Sequence, residues 1–184
     1  MTPEDALKLL LSKLDECGIP YMIAGSFASN IHGLPRATQD ADVVIEVEEK
    51  ILERFLNQLG SAFYWSSQAA MDALAREQMF NVVHLETGFK VDFIICKSRP
   101  FSRMEFSRRQ PVFYLGENRW FATAEDTILV KLEWSRMADS ERQFIDASNV
   151  AKLQRNNLDG AYLKKWAGEL DILDLLNRLF QEME

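Results

Sequence analysis

Asp40-Ala41-Asp42 is the pair of acids best placed to do chemistry. The apolar run Val43-Val44-Ile45 follows it directly, so both acids fall at the start of a strand. Residues two apart on a strand point to the same face, which sets the two carboxylates side by side. Two such groups repel when both are ionised unless a cation lies between them. A hard divalent ion such as Mg²⁺ takes oxygen ligands of this kind. The plainer alternative is a pair of solvated acids at a strand start. A third acid, Asp92, sits inside Val91-Asp92-Phe93-Ile94-Ile95. A carboxylate in so apolar a run is paired, protonated or bound to metal, or it lies on the solvated face of a hairpin.

The elements that must position these groups can be read around them. Tyr21–Ala24 is apolar and reads as a strand ending at Gly25-Ser26. Phe27–His32 reads as a short helix, and Gly33-Leu34-Pro35 as a turn. Gly25 lets a backbone approach a ligand closely. Ser26 opens a helix whose N-terminus favours anions. Lys131 interrupts Ile128-Leu129-Val130-Lys131-Leu132. On a buried helix it either snorkels to solvent or meets an anion.

Gly25-Ser26, thirteen intervening residues and then Asp40-Ala41-Asp42 on a strand resemble the signature of the nucleotidyltransferase superfamily typified by DNA polymerase beta. The run Arg36-x-Thr38-x-Asp40-x-Asp42 looks most like its AbiEii-type branch, which includes abortive-infection toxins. Small antibiotic nucleotidyltransferases are also similar. The resemblance spans 21–131 and implies transfer of a nucleoside monophosphate from a nucleoside triphosphate to an acceptor hydroxyl. It implies two Mg²⁺ ions on Asp40, Asp42 and Asp92. Gly25, Ser26 and Lys131 would contact the nucleotide. Arg36 and Thr38 are weaker candidates, and Arg36 alternatively fixes its loop. The acceptor is an RNA or tRNA end, a small molecule such as an aminoglycoside, or a protein. A cognate antitoxin is a further expected partner. The competing class is a non-catalytic nucleotide-binding or regulatory partner in a toxin–antitoxin-like system.

Composition narrows these options. The chain has 184 residues, is 47% hydrophobic and carries a formal charge of −7, which disfavours indiscriminate binding along a nucleic-acid backbone. Lys97, Arg99, Arg103, Arg108, Arg109 and Arg119 nevertheless cluster against only Glu105 and Glu117. That window reads either as a solvated hairpin face or as a surface for a triphosphate or an RNA end. Cys17 and Cys96 lack metal or redox spacing and read as small buried hydrophobes. His32 and His84 are too few for a zinc site. With no signal-peptide pattern or apolar run of membrane length, a reducing cytoplasm and no membrane partner are expected.

The remaining elements follow from periodicity. Thr2-Pro3-Glu4-Asp5 starts a helix that Gly18 stops. A helix is predicted over 47–59, a short strand over 62–65, a helix or irregular excursion over 66–78, and a hairpin of 79–86 with 90–96. Pro100–Arg109 reads as a short helix. A second hairpin is predicted with Gly116-Glu117-Asn118-Arg119 as its turn. Thr123 caps a helix carrying Lys131, and three helices complete the chain. The expected fold is α+β: a small mixed sheet with flanking helices, then a C-terminal helical bundle. Residues 1–135 are expected to form the nucleotidyltransferase core, with 136–184 packed on it.

Overall fold

The computed structural model describes residues 1–183. In chain order the elements are α1 (Pro3–Cys17), β1 (Tyr21–Ile23), α2 (Gly25–His32), β2 (Asp40–Ile45), α3 (Glu49–Asn57), β3 (Phe63–Tyr64), α4 (Ser67–Arg76), β4 (Met79–His84), β5 (Lys90–Ile95), α5 (Pro100–Arg108), β6 (Gln110–Tyr114), β7 (Glu117–Phe121), α6 (Ala124–Ala138), α7 (Glu141–Leu153), α8 (Gly160–Glu169) and α9 (Leu173–Gln181). They form two compact units, Met1–Ala24 with Thr38–Phe121, and Gly25–Ala37 with the chain from Ala122 onward. The class is the expected mixture of helices and a mixed sheet. Among the described residues no helix is long and apolar enough to cross a membrane.

The first unit is built on one sheet with strand order β3-β4-β5-β2-β1-β7-β6. β2 and β5 run parallel through its middle, and β1 meets β7 in parallel at Ile23 and Phe121. The other pairs are antiparallel. Period-2 alternation decides what β2 buries. Ala41, Val43 and Ile45 go into the core opposite Val91, Phe93 and Ile95 of β5. Phe93 is fully buried, meets Phe55 of α3 edge-on at 5.5 Å and stacks on Phe80 of β4 at 5.4 Å. Each such side chain contributes about 1.5–3 kcal/mol by leaving water. That apolar face fixes the register, so Asp40 and Asp42 are turned to the opposite face. α1 starts in a capping box, with the Asp5 N–H donating to Thr2 Oγ1 at 3.1 Å and the Thr2 N–H to the Asp5 carboxylate at 2.9 Å. Its Ala6, Leu7, Leu10, Leu11 and Leu14 are buried.

The β6–β7 hairpin corrects one expectation. Its turn is Leu115-Gly116, both left-handed at φ 54° and 87°, and Glu117–Arg119 already belong to β7. A two-residue loop needs that handedness to match strand twist.

In the second unit α6 and α7 pack on each other, and α2 packs on both. Gly33 closes α2 where a Cβ would meet the Ser29 carbonyl at 2.9 Å and Val150 at 3.0 Å. His32 is buried and its Nε2–H donates to the Ala122 carbonyl at 2.8 Å. Burial pushes its pKa below the usual imidazole range, although that carbonyl and Glu125 oppose the shift.

Candidate functional site

Strand register brings the three acids of the first unit together. Asp42 lies opposite Asp92, and Asp40 opposite Lys90, on parallel neighbours. Paired residues share a face, so Asp40, Asp42 and Asp92 stand on the non-core side of β2 and β5. Their environments differ. Asp40 is exposed and Asp42 half-buried, whereas Asp92 is buried. Buried Asp92 is satisfied twice: Asn81 Nδ2 of β4 donates to Oδ1 at 3.3 Å, and Lys90 Nζ donates to Oδ2 at 2.9 Å. Lys90 Nζ also lies 3.8 Å from Asp40 Oδ2. The hydrogen bond to Asp92 holds the Lys90 pKa above its ordinary value against partial desolvation, and the fields of Asp92, Asp40 and Asp42 add to it. β2 is anchored beside them: the Ala24 N–H donates to the Asp42 carbonyl at 2.9 Å. Thr38 Oγ1 donates to the Asp40 carbonyl at 3.0 Å, so Thr38 shapes the entry to β2.

The donor set fits a hard divalent cation in type, being oxygen-only and drawn from two adjacent strands. Among the described residues, however, no three His, Cys, Asp or Glu side chains close on a metal-binding point. The cation within the cluster is the Lys90 ammonium.

The second unit holds a separate charged cluster. Arg36 Nη2 donates to Ser26 Oγ at 2.8 Å and to Asp146 Oδ2 at 2.9 Å, while its Nε reaches Asp146 Oδ1 at 3.1 Å. Lys131 Nζ donates to Asp146 Oδ2 at 3.1 Å. Lys131 therefore does not snorkel: it meets an anion, Asp146 of α7. The two side chains are only 5% and 8% exposed, so the pair is shielded from solvent screening. Burial alone would raise the Asp146 pKa, but Arg36 and Lys131 outweigh it and hold the carboxyl below the ordinary range. Arg36 also closes its own loop, its N–H donating to Asn30 Oδ1 at 3.1 Å while Asn30 Nδ2 donates to the Arg36 carbonyl at 2.8 Å. Gly25 opens α2 at φ 57°, a conformation that favours glycine.

Asp146, Lys90 and Asn81 were missed by the sequence reading. Asp146 carried a signal, an acid between Phe144 and Ala147 on the buried stripe of α7. Lys90 carried one too, lying two residues before Asp92 on the same strand face.

The basic window is not a continuous surface. Arg119 is fully buried, donating to Asp15 at 2.6 Å and Ser12 at 3.0 Å and pairing with Glu117 at 2.8 Å. Arg103 pairs with Glu46 at 2.7 Å. Arg109 stacks over Phe106 at 4.3 Å and Trp120 at 5.4 Å. Cys17 and Cys96 are buried free thiols, and burial pushes the Cys96 pKa up.

With an acid-bearing parallel strand pair at the centre of a mixed sheet, solved structures supply the comparison. The fold is nucleotidyltransferase-like. An antigenic nucleotidyltransferase-like protein from Paracoccidioides brasiliensis superposes with a TM-score of 0.68 at 18% identity, covering 98% of this chain and 88% of that one. ANT(2'')-Ia in complex with adenylyl-2''-tobramycin gives 0.55 at 13% identity over 100% of both chains. The lincosamide antibiotic adenylyltransferase LnuA, lincomycin-bound, gives 0.53 at 13% identity over 80% of this chain and 95% of that one. No family model and no curated protein matches the sequence. At these identities the likeness is one of fold, and it does not single out the AbiEii-type branch.

Proposed function

We propose that the protein is a Mg²⁺-dependent nucleotidyltransferase that moves a nucleoside monophosphate from a nucleoside triphosphate to an acceptor hydroxyl. The observation that carries this reading is the shared face of Asp40, Asp42 and Asp92 across β2 and β5, on a nucleotidyltransferase-like fold. In the reaction the acceptor oxygen attacks the α-phosphorus, the bond to the bridging oxygen breaks, and pyrophosphate leaves. Phosphoryl-type transfer depends mainly on positioning and charge neutralisation. Mg²⁺ ions bound by the three carboxylates would stabilise the attacking and leaving oxygens. Asp92, held at Oδ1 by Asn81, would complete the metal site and help take up the acceptor's proton once Lys90 leaves its Oδ2. Gly25, Ser26, Arg36 and Lys131, the nucleotide contacts expected from the sequence, belong to the second unit, where Asp146 already holds Arg36 and Lys131.

For the acceptor we favour a cationic small molecule over an RNA end. The chain is strongly acidic, and its basic window is divided among internal partners. One structural neighbour was solved in complex with adenylyl-2''-tobramycin. The experiment incubates wild type and Asp40→Asn/Asp42→Asn with each labelled triphosphate, Mg²⁺ and separate pools of aminoglycosides, total tRNA and extract protein. Label should pass to the aminoglycoside pool with wild type and fall at least about 100-fold in the variant. Label on tRNA alone would reverse the acceptor choice. Triphosphate binding with no transfer to any pool would favour the non-catalytic binding partner. Equal labelling by the variant would remove the two acids from the mechanism.

A further inference from the structure

Lys90 has no part in the chemistry above, yet it sits where that chemistry needs an empty place. We propose that Lys90 is a placeholder cation, bridging Asp40 and Asp92 beside Asp42 before metal arrives and competing with the divalent ion for their face. The proposal rests on the metal reading of those carboxylates.

The geometry supports both halves. Lys90 is directly opposite Asp40 and two residues before Asp92 on the same strand face. Its ammonium is 2.9 Å from Asp92 and 3.8 Å from Asp40. Three like charges on adjacent strands would otherwise repel across the middle of the sheet. The arrangement is also built for exchange. The Lys90 side chain is 33% exposed and Asp92 only 8%, so the ammonium can swing to water on its flexible stem while the acid stays. Asn81 keeps hold of Asp92 Oδ1 when Oδ2 is released. Lys90 occupies Asp92 Oδ2 at 2.9 Å and lies 3.8 Å from Asp40 Oδ2, so a dication that takes the Asp92 Oδ2 position meets the ammonium's repulsion and displaces it. The free protein should therefore bind divalent ions weakly by itself, and the lysine should set how weakly.

The test uses the full chain without nucleotide and Mn²⁺ as the probe, with binding read from the free-Mn²⁺ paramagnetic resonance signal. Lys90→Met should bind Mn²⁺ at least about tenfold more tightly than wild type, because a unit charge near 4 Å acts on a dication even through water. Lys90→Arg, which keeps the charge, should stay near wild type. In chelator, Lys90→Met should melt below wild type, and Mn²⁺ should raise its melting temperature by the larger amount. Equal or weaker Mn²⁺ binding by Lys90→Met, with wild type binding, would overturn the placeholder role and leave the metal site standing. No Mn²⁺ binding by either protein would remove the metal site and this proposal with it. A measurement on wild type needs no variant to fold: the Lys90 ammonium resonance should move as Mg²⁺ saturates the protein. An unmoved resonance at saturation would also overturn the proposal.

Discussion

Asp146→Asn perturbs the densest charged contact of the second unit, and its cost can be worked from the geometry. The carboxylate accepts from Arg36 at 2.9 and 3.1 Å and from Lys131 at 3.1 Å. Lys131 and Asp146 are 5% and 8% exposed, so water screens their attraction little. Removing one member of a buried pair typically costs about 3–5 kcal/mol. Arg36 is 26% exposed and contributes less, on the order of 1 kcal/mol. The isosteric amide keeps one acceptor, which places the expected loss near the lower bound, about 3 kcal/mol. That is a large fraction of the roughly 5–15 kcal/mol available to a domain. Urea unfolding followed by tryptophan fluorescence measures it, since Trp134 and Trp166 lie in the same unit. In a cycle with Lys131→Met, the coupling energy should be about 1–3 kcal/mol.

The pH dependence adds an independent check. The native carboxyl titrates below its ordinary value, so the unfolded chain binds the proton first as pH falls. The stabilisation is complete above about pH 5 and is lost as pH falls through the unfolded and then the native pKa. The gap between wild type and Asp146→Asn should therefore narrow in acid. A loss under about 0.5 kcal/mol at neutral pH, or a gap that widens on acidification, would refute the reasoning.

Other perturbations test other contacts. Gly33→Ala would put a Cβ 2.9 Å from the Ser29 carbonyl and 3.0 Å from Val150, and thermal unfolding should show a loss of about 1–3 kcal/mol. His32 is held below its ordinary pKa by burial, so stability should decline as pH drops below about 6.5, with an NMR titration midpoint under that value and a smaller decline in His32→Gln. Arg119 is fully buried, but its acidic partners Asp15 and Glu117 are about half exposed and can turn to water. Among the described residues its Nε has no hydrogen-bond partner, so Arg119→Met should lose no more than about 2 kcal/mol in urea, and a loss above about 4 kcal/mol would show the ion pairs to be strongly stabilising.

What the sequence disclosed and what it withheld follow one rule. Alternation along β2 showed which residues enter the core, because burial acts on every second residue and leaves its mark locally. The capping box at Thr2 and the acid within the apolar run around Asp92 were legible for the same reason. A polar residue inside an apolar period announces that it has a partner but does not name it. Asp146 lies 110 residues from Arg36 along the chain, and no local pattern links a loop arginine to an acid on a later helix. Arg119 shows that charge counting misleads where periodicity would not. It shares a strand face with Phe121, and both are buried, so period-2 reading would have removed it from the basic surface. Lys90 is the sharper instance. Its spacing from Asp92 guarantees a shared face in any strand, but only the in-register pairing of β2 with β5 places Asp40 within its reach. The charge balance of the candidate site is therefore a property of strand register. A lysine adjacent to an acidic motif becomes part of its chemistry only when the sheet delivers it there.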